Sequence, residues 1–204
     1  MCGLPGRNEG KFDRDMYQDI HALVKEYKIN VLVTLNTMEE LYHRRSDHLF
    51  DTIKTFADDS EEELISLHFP IRDFGVPTSM MEMDRFLHSI ILVIRKIAEN
   101  QHGNCNLVIH CNGGIGRTGI ISACLLLKLQ WMMDNHLHPE SPQLQSQQPQ
   151  SLLSSQHKSS KAKFVPIQNI IDTLRVSRKP QMLRNPMQKF YCYCYQDLFA
   201  PWYK

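Results

Sequence analysis

The sequence predicts an α/β fold: a mostly parallel central sheet flanked by helices on both faces. Two observations carry this prediction. Short, continuously apolar runs rich in β-branched residues recur along the chain, and stretches with apolar residues at helical spacing separate them. Continuous apolar runs are typical of parallel strands, because helices cover both faces of such a sheet. The length of 204 residues is sufficient for one domain with its own hydrophobic core.

The first half of the chain supplies two strands and two helices. Residues 30–36 (NVLVTLN) form the first apolar run, and residues 64–70 (LISLHFP) form the second. Between these strands, Thr37 and Glu40 make the capping-box pattern that begins a helix. Residues 13–27 are predicted to form an earlier helix, because these apolar residues recur at helical spacing: Met16, Ile20, Leu23, Val24 and Tyr27.

The second half continues the alternation. Residues 106–110 (NLVIH) form the third strand, and a very apolar helix follows from Gly116 to about Asp134. Two further helices begin near Pro166 and Pro186, since a first helical turn tolerates proline. The predicted apolar helix faces are Phe86, Ile90, Val93 and Ile97 in a long helix begun by Ser79 and Glu82; Ile167, Ile170, Ile171 and Leu174; and Met187, Phe190, Tyr191, Cys194 and Leu198.

Residues 1–204 are predicted to be a single domain that is interrupted at about 139–163. That segment is rich in Gln and Ser and holds almost nothing to bury, so we expect a disordered insertion between two helices of one domain. A linker between two domains is the weaker alternative, because neither flank is large enough for a second catalytic unit.

Composition excludes several classes of protein. The net charge of +1 favours neither nucleic acid nor a membrane surface as a partner. The first twenty residues lack the apolar core of a signal peptide, and the longest apolar run is too short to span a bilayer. We therefore expect a protein of the cytoplasm, with the nucleus as a second compartment. The six cysteines are expected as free thiols, and their spacing predicts no metal site.

One stretch, VIHCNGGIGRTGIIS at 108–122, has the pattern of a phosphate-binding loop. Cys111 follows the third strand at the sheet edge where ligands of open α/β sheets bind. Glycines free the loop backbone to turn its N–H groups toward an anion, and the dipole of the following helix favours a thiolate at Cys111. The planar Arg117 guanidinium can hold two phosphoryl oxygens, and the Thr118 hydroxyl can donate to the sulfur. His110 is placed to order the loop, although a core histidine is the simpler interpretation.

The sequence HCNGGIGRTG resembles the signature of the cysteine-dependent protein phosphatases, and in particular of the small dual-specificity phosphatases. Further likeness lies at 2–6 (CGLPG), 30–41 (NVLVTLNTMEEL) and 69–78 (FPIRDFGVPT). Within the family, the likeness is greatest to the cyclin-dependent-kinase-associated phosphatases. The resemblance implies Cys111 as nucleophile, no metal or organic cofactor, and a set of phosphate-binding residues: Asn112, Gly113, Gly114, Ile115, Gly116 and Arg117.

The resemblance also assigns a proton donor. Asp73 follows the second strand in a proline- and glycine-bounded loop, and the family places its general acid there; such assistance accelerates a reaction roughly 10²- to 10⁴-fold. A turn or capping aspartate is the alternative. Where the family often has two glutamines that position water, Arg184 takes the first place and Gln188 the second. The DFG triplet beginning at Asp73 also occurs in kinases, but no kinase lysine or nucleotide loop accompanies it.

The resemblance thus implies a phosphatase that removes phosphate from tyrosine, serine and threonine through a phosphocysteine, with a phosphoprotein partner and a cyclin-dependent kinase as one candidate. The resemblance also disfavours a lipid substrate, because phosphoinositide phosphatases of the superfamily tend to place basic residues inside the signature loop, and this loop carries no lysine. Two alternatives stay open: a phosphoprotein-binding module with the same phosphate-binding loop, and a redox sensor in which Cys105 or Cys124 resolves an oxidised Cys111.

Five cations near the end of the chain are predicted to form either a positive rim that steers phosphoproteins to the signature loop or a solvated helix face: Arg175, Arg178, Lys179, Arg184 and Lys189.

Overall fold

The structure is a computed structural model that describes residues 2–59, 64–100, 104–135 and 165–199. In chain order its elements are β1 (Asn8–Glu9), β2 (Phe12–Asp13), α1 (Met16–His21), β3 (Val31–Thr34), α2 (Met38–His43), α3 (Leu49–Asp59), β4 (Ile65–His68), α4 (Met80–Asn100), β5 (Leu107–His110), α5 (Arg117–Asp134), α6 (Ile167–Ser177) and α7 (Pro186–Asp197). A π-helical turn, Ala22–Glu26, directly continues α1. The predicted insertion at 139–163 lies outside the described residues.

Three parallel strands form the central sheet in the order β4-β3-β5. β3 pairs Val31 with Ile65 on one side and with Leu107 on the other, and the register continues to the end of each strand. All four residues of β3 are buried, as expected for the central strand of a sheet covered on both faces. The three predicted strands and their parallel arrangement are confirmed. A small antiparallel pair, β1 and β2, was not predicted.

Helices cover both faces of the sheet and enclose two apolar cores. Because side chains alternate along a strand, Val31 and Val33 belong to one core and Leu32 to the other. The first core contains apolar side chains from α4, α5, α6 and α7. The second contains side chains from α1, α2 and α3, together with Leu4. The predicted fold class is therefore confirmed.

The predicted helix starts agree with the local hydrogen bonds. Thr37 and Glu40 form a complete capping box at α2: the Glu40 amide donates to Thr37 Oγ1 at 3.2 Å, and the Thr37 amide donates to Glu40 Oε2 at 2.9 Å. At α4, the Glu82 amide donates to Ser79 Oγ at 3.2 Å. Pro166 is the N-cap of α6, whereas Pro186 is the first residue of α7. All four residues of the predicted α6 face are buried.

The predicted apolar face of α7 is confirmed only in part: Tyr191 and Leu198 pack against the first core, but this face is not the one that is buried. Met187 and Phe190 are exposed, at 52% and 67% of their surface, and the buried residues of this helix are Gln188, Cys192 and Tyr195. The helix carries apolar or aromatic side chains on more than one face, so polar contacts decide its orientation. The Tyr195 hydroxyl donates to Asp84 Oδ1 at 2.6 Å, and Gln188 Nε2 donates to the Gly75 carbonyl at 3.0 Å.

In the described part of the chain, no helix combines the length and the apolar character needed to cross a membrane. Within the same ranges, no three or more His, Cys, Asp or Glu side chains are grouped so that they could hold a metal ion.

Candidate active site

Cys111 follows β5 directly and lies at the carboxyl edge of the parallel sheet, where its side chain is almost completely buried. Residues 112–116 form a bent loop that leads into the first turn of α5 at Arg117. The backbone N–H groups at the start of that helix have no partners within the helix, so they are available to an anion beside the thiol. The predicted strand–loop–helix arrangement around Cys111 is present.

Gly114 is required by a close approach of two backbones, and Gly116 lies against the end of a buried side chain. Gly114 has φ +65°, and a Cβ atom there would lie 2.4 Å from the Cys2 carbonyl oxygen. A Cβ atom on Gly116 would lie 2.7 Å from Gln188 Oε1. At Gly113, by contrast, a Cβ atom would meet only the Ile115 side chain at 3.8 Å. The loop is therefore held from two sides, by the N-terminal segment of the chain and by α7.

Arg117 is buried, with 1% of its surface exposed, and its guanidinium donates three hydrogen bonds to oxygen atoms. Nη1 donates to Glu40 Oε2 at 2.6 Å and to the Ile71 carbonyl at 2.7 Å, and Nη2 donates to Asp73 Oδ1 at 3.0 Å. A buried cation needs such compensation, because its desolvation is costly. Glu40 was predicted only as a helix cap, so its role in orienting Arg117 was missed.

Asp73 lies against the signature loop, as the topology of parallel strands implies. Its Oδ1 atom accepts from Arg117 and from the Phe74 amide, and Oδ2 accepts from Asn112 Nδ2 at 3.2 Å. Of its side-chain surface, 42% stays exposed, so solvent and a substrate can reach the carboxyl group. The predicted acid and the predicted phosphate-binding arginine are thus in direct contact.

The Asn112 carboxamide connects the loop to its surroundings. Its Oδ1 atom accepts from Asn36 Nδ2 at 2.6 Å, while Nδ2 donates to Asp73 and, at 3.4 Å, to Glu40 Oε1. Asn36 is a second residue that the sequence did not single out. No local pattern could have revealed it, because the contact joins side chains that follow two different strands, β3 and β5.

Contacts from α7 hold the loop that carries Asp73. Asn185 Nδ2 donates to the Phe74 carbonyl at 3.0 Å, and Gln188 Nε2 donates to the Gly75 carbonyl at the same distance. Phe74 adopts φ +58° and leaves 75% of its surface exposed. Gln188 was predicted to help position water. The structure buries its side chain between Gly75, in the loop that carries Asp73, and Gly116, in the signature loop.

His110 and Thr118 are both buried. His110 Nε2 lies 2.8 Å from Thr34 Oγ1, whereas its Nδ1 atom has no hydrogen-bond partner among the described residues. Burial, reinforced by the nearby Arg117 charge, lowers the pKa of His110 to about 3, so the ring is neutral. The Thr118 hydroxyl likewise has no hydrogen-bond partner in the described ranges. The predicted bond from Thr118 to the Cys111 sulfur is therefore not formed in this structure.

One of the five predicted rim cations has a structural role instead. Arg175 donates from Nε to the Met182 carbonyl at 2.9 Å and from Nη2 to the Leu183 carbonyl at 3.2 Å, which holds the turn before α7. Lys189 Nζ lies 5.7 Å from the centre of the Tyr193 ring. The remaining three are exposed: Arg178, Lys179 and Arg184.

The candidate resolving thiols differ in their surroundings. Cys124 on α5 is completely buried against Cys192 on α7, and burial, together with the hydrogen bond between the two thiols, holds the pKa of Cys124 well above its usual range. Partial burial also raises the pKa of Cys105. All six cysteines are free thiols, and the redox role of Cys111 stays a prediction.

Comparisons with known proteins identify the family of the chain. A family model described as "PTP-SAK: Swiss Army Knife protein, DSP-PTPase phosphatase domain" matches residues 5–164. Cyclin-dependent kinase inhibitor 3 of Rattus norvegicus is 29% identical over 129 residues, which are 63% of this chain and 54% of the relative. The Homo sapiens protein of the same name is 30% identical over 131 residues, with the same two shares. The chain thus spans about half the length of these curated relatives.

Solved structures show the same fold. A kinase associated phosphatase (KAP) with a serine in place of its catalytic cysteine superposes with a TM-score of 0.70 at 22% identity, covering 98% of this chain and 85% of that one. A mutant form of Tk-PTP superposes with a TM-score of 0.56 at 16% identity, covering 89% and 86%.

The family match includes the loop that carries Asp73, the signature loop and most of the sheet. It confirms the resemblance predicted from HCNGGIGRTG. The chain belongs to the DSP-PTPase phosphatase domain family, in the branch described as Swiss Army Knife proteins.

Proposed function

We propose that this protein hydrolyses phosphomonoesters on protein side chains through a phosphocysteine. The observation that carries the proposal is the joint placement of Cys111, Arg117 and Asp73: a thiol at the start of a helix-capping loop, a buried guanidinium, and a solvent-reachable carboxyl group 3.0 Å from that guanidinium. This combination supplies a nucleophile, a binder of phosphoryl oxygens and a proton donor at one sheet edge.

In the first step, the Cys111 thiolate attacks phosphorus and the bond from phosphorus to the side-chain oxygen breaks. The protonated Asp73 carboxyl group gives its proton to that leaving oxygen, so the product departs as a neutral alcohol or phenol. In the second step, water attacks the phosphocysteine, the Asp73 carboxylate takes a proton from the water, and the sulfur–phosphorus bond breaks to restore the thiolate. Arg117 and the loop N–H groups bind the phosphoryl oxygens in both steps.

The contacts of Arg117 imply an exchange of partners when a phosphoryl group binds. Asp73 occupies one guanidinium N–H group that a phosphoryl oxygen would use, while Glu40 and the Ile71 carbonyl hold Nη1. A bound phosphate dianion would replace the Asp73 carboxylate on Arg117. The displacement would free the carboxyl group from Arg117 for the acid step.

The substrates we propose are phosphotyrosine and phosphoserine or phosphothreonine side chains. The family match supports dual specificity, and the absence of lysine from the signature loop favours proteins over lipids. A cyclin-dependent kinase is a candidate protein substrate, because relatives bear the names cyclin-dependent kinase inhibitor 3 and kinase associated phosphatase. A cytoplasmic site of action that extends to the nucleus is part of the same proposal.

A second candidate is a phosphoprotein-binding module. Arg184 stands where the family often has the first of two water-positioning glutamines, and it is exposed. A slow second step would leave the protein bound to its target. Measured turnover separates this candidate from the enzyme.

Hydrolysis of an aryl phosphate in the presence of a chelator tests the proposal. We expect turnover by the wild type, none by Cys111→Ser, and a roughly 10²- to 10⁴-fold lower kcat for Asp73→Asn. Two exposed or peripheral changes, Asp58→Asn on α3 and Cys194→Ser on α7, serve as matched controls that keep full activity. A folded wild type that binds phosphopeptides without turnover would favour the binding module.

Phosphopeptides then define the substrate class. Release of phosphate from matched phosphotyrosine and phosphothreonine peptides would support dual specificity, and an activation-loop peptide of a cyclin-dependent kinase tests the kinase proposal. Activity confined to phosphotyrosine would refute dual specificity, and failure on the intact phosphorylated kinase would refute that substrate.

A further inference from the structure

We infer that residues 2–6 (CGLPG), here called the N-terminal clamp, position the phosphate-binding loop and thereby set its affinity for the phosphoryl group. The inference rests on the proposed function of the Cys111 loop, and it adds a set of positioning residues distant from it in sequence. The clamp acts through the loop backbone at Asn112 and Gly114, which Cys2, Gly3 and Leu4 contact.

The clamp extends the sheet beside β5. The Cys2 amide donates to the Ile109 carbonyl at 3.2 Å, and Cys2 pairs with His110 as a parallel bridge. The clamp thus runs in the same direction as β5 and passes, like β5, beyond the carboxyl edge of the sheet. This direction brings its next residues alongside the signature loop.

The loop and the clamp then touch through their backbones. The Leu4 amide donates to the Asn112 carbonyl at 3.3 Å. At Gly3, a Cβ atom would lie 3.3 Å from the same carbonyl oxygen, closer than most side chains tolerate. At Gly114, a Cβ atom would lie 2.4 Å from the Cys2 carbonyl, in addition to the positive φ at that position. The glycines on both sides of this contact allow the two backbones to approach.

The other end of the clamp is fixed to the second core. The Gly6 amide donates to Asp19 Oδ2 on α1 at 2.7 Å, and the Gly6 carbonyl accepts from Ser46 Oγ at 3.1 Å. Arg14 joins this anchor, since it donates to Asp19 Oδ1 at 2.8 Å and to the Leu4 carbonyl at 3.4 Å. Leu4 itself is buried, with 1% of its surface exposed. Because the clamp is held at both ends, it is a rigid support for the signature loop beside it.

Asn112 of the signature loop connects the clamp to Asp73 by hydrogen bonds. The Asn112 carbonyl accepts from the clamp, and the Asn112 carboxamide donates to Asp73 and Glu40. A shift of the Asn112 peptide would therefore misdirect loop N–H groups and also move a partner of the general acid. Donors aimed at a developing charge lose much of their effect when displaced by a fraction of an ångström.

Two changes test the clamp without touching the cradle itself. Gly3→Ala places a methyl group against the Asn112 carbonyl, which must move by a few tenths of an ångström. Asp19→Ala removes the acceptor of the Gly6 amide, whereas Asp19→Asn retains an acceptor oxygen and serves as the conservative rescue. Asp15→Ala is the matched control: it removes the N-cap of the same helix, where Asp15 accepts from the Gln18 amide at 2.7 Å, and leaves the clamp bonds intact.

The readouts are the dissociation constant for inorganic phosphate, KM and kcat for an aryl phosphate, and the ratio of Cys111 alkylation rates with iodoacetate and iodoacetamide. The ratio reports anion binding next to the thiol, independently of turnover. Cys2 does not compete in this assay, because burial raises the pKa of its thiol to about 11.

We expect Gly3→Ala and Asp19→Ala to weaken phosphate binding and raise KM about tenfold, by analogy with the cost of small misplacements in active sites, and to lower the alkylation ratio. Asp19→Asn should restore most of the affinity, and Asp15→Ala should bind phosphate like the wild type even if its melting temperature falls. Should Gly3→Ala fail to fold, the Asp19 pair of variants gives the same comparison.

Affinity and alkylation ratio unchanged in both Gly3→Ala and Asp19→Ala would overturn the clamp while leaving the phosphatase intact. Equal losses in Asp15→Ala would also overturn it, because they would show a general effect of α1 stability. Failure of the wild type to bind phosphate or to turn over would instead refute the proposed function, and the clamp with it.

Discussion

The Glu40 carboxylate is the closest partner of the buried Arg117 side chain, so its removal tests how the cradle is built. Its Oε2 atom accepts from Arg117 Nη1 at 2.6 Å and from the Thr37 amide at 2.9 Å. Breaking a buried ion pair costs about 3–5 kcal/mol, and losing the capping-box hydrogen bond from the Thr37 amide costs about 1 kcal/mol. Because Arg117 keeps Asp73 and the Ile71 carbonyl, and Glu40 is partly exposed, we expect Glu40→Ala to lower the free energy of unfolding by about 2–3 kcal/mol.

Urea denaturation and aryl phosphate kinetics measure the two consequences. The stability loss corresponds to a melting temperature about 5–10 °C lower for a chain of this size. KM should rise about tenfold, because a guanidinium without its main partner no longer holds a fixed direction. Glu39→Ala is the matched control: Glu39 is 84% exposed and should change neither quantity. Unchanged stability and KM in Glu40→Ala would refute the role of this carboxylate in orienting Arg117.

Three further predictions concern other parts of the network. Asp73→Asn should bind inorganic phosphate at least as tightly as the wild type, because the charged competitor for Arg117 is gone; weaker binding by calorimetry would contradict the exchange of partners. Tyr195→Phe should lower stability by about 1.5–3 kcal/mol, the usual cost of losing a hydrogen bond to a charged group, without changing kcat/KM; its hydroxyl donates to Asp84 at 2.6 Å. Because the pKa of His110 is lowered, the folded state binds fewer protons than the unfolded chain below pH 6.5. The contribution of neutral His110 to the free energy of unfolding is therefore complete above pH 6.5 and is lost as the pH falls toward 3. We expect the free energy of unfolding to fall by about 2 kcal/mol between pH 6.5 and 5. A His110→Gln variant with the same pH slope in urea denaturation would exclude His110 as the source of this loss.

The features predicted correctly from the sequence are those encoded locally. Three apolar runs identified the strands, the Thr37–Glu40 pattern identified a capping box that the hydrogen bonds reproduce, and the signature loop lies between β5 and α5 as predicted. The position of Asp73 beside the loop followed from topology, because the ends of parallel strands meet at one edge of a sheet. Local chain chemistry and one rule of topology were sufficient for these features.

The features that were missed depend on contacts between distant segments. Glu40 and Arg117 are 77 residues apart, and nothing in the helix-cap pattern indicates that the same oxygen also binds a guanidinium. The orientation of α7 depends on Tyr195 and Gln188 finding partners on α4 and in the acid loop. Because apolar side chains lie on more than one face of α7, periodicity alone could not select the buried one.

The central claim is that phosphate passes through the Cys111 sulfur. The most direct measurement is mass spectrometry of peptides from enzyme quenched in acid during turnover of an aryl phosphate, with Asp73→Asn used to slow breakdown of the intermediate. We predict one added phosphoryl group on the peptide that contains Cys111 and none in Cys111→Ser. Turnover without a phosphorylated Cys111 peptide, or a phosphoryl group carried by a different residue, would contradict the mechanism.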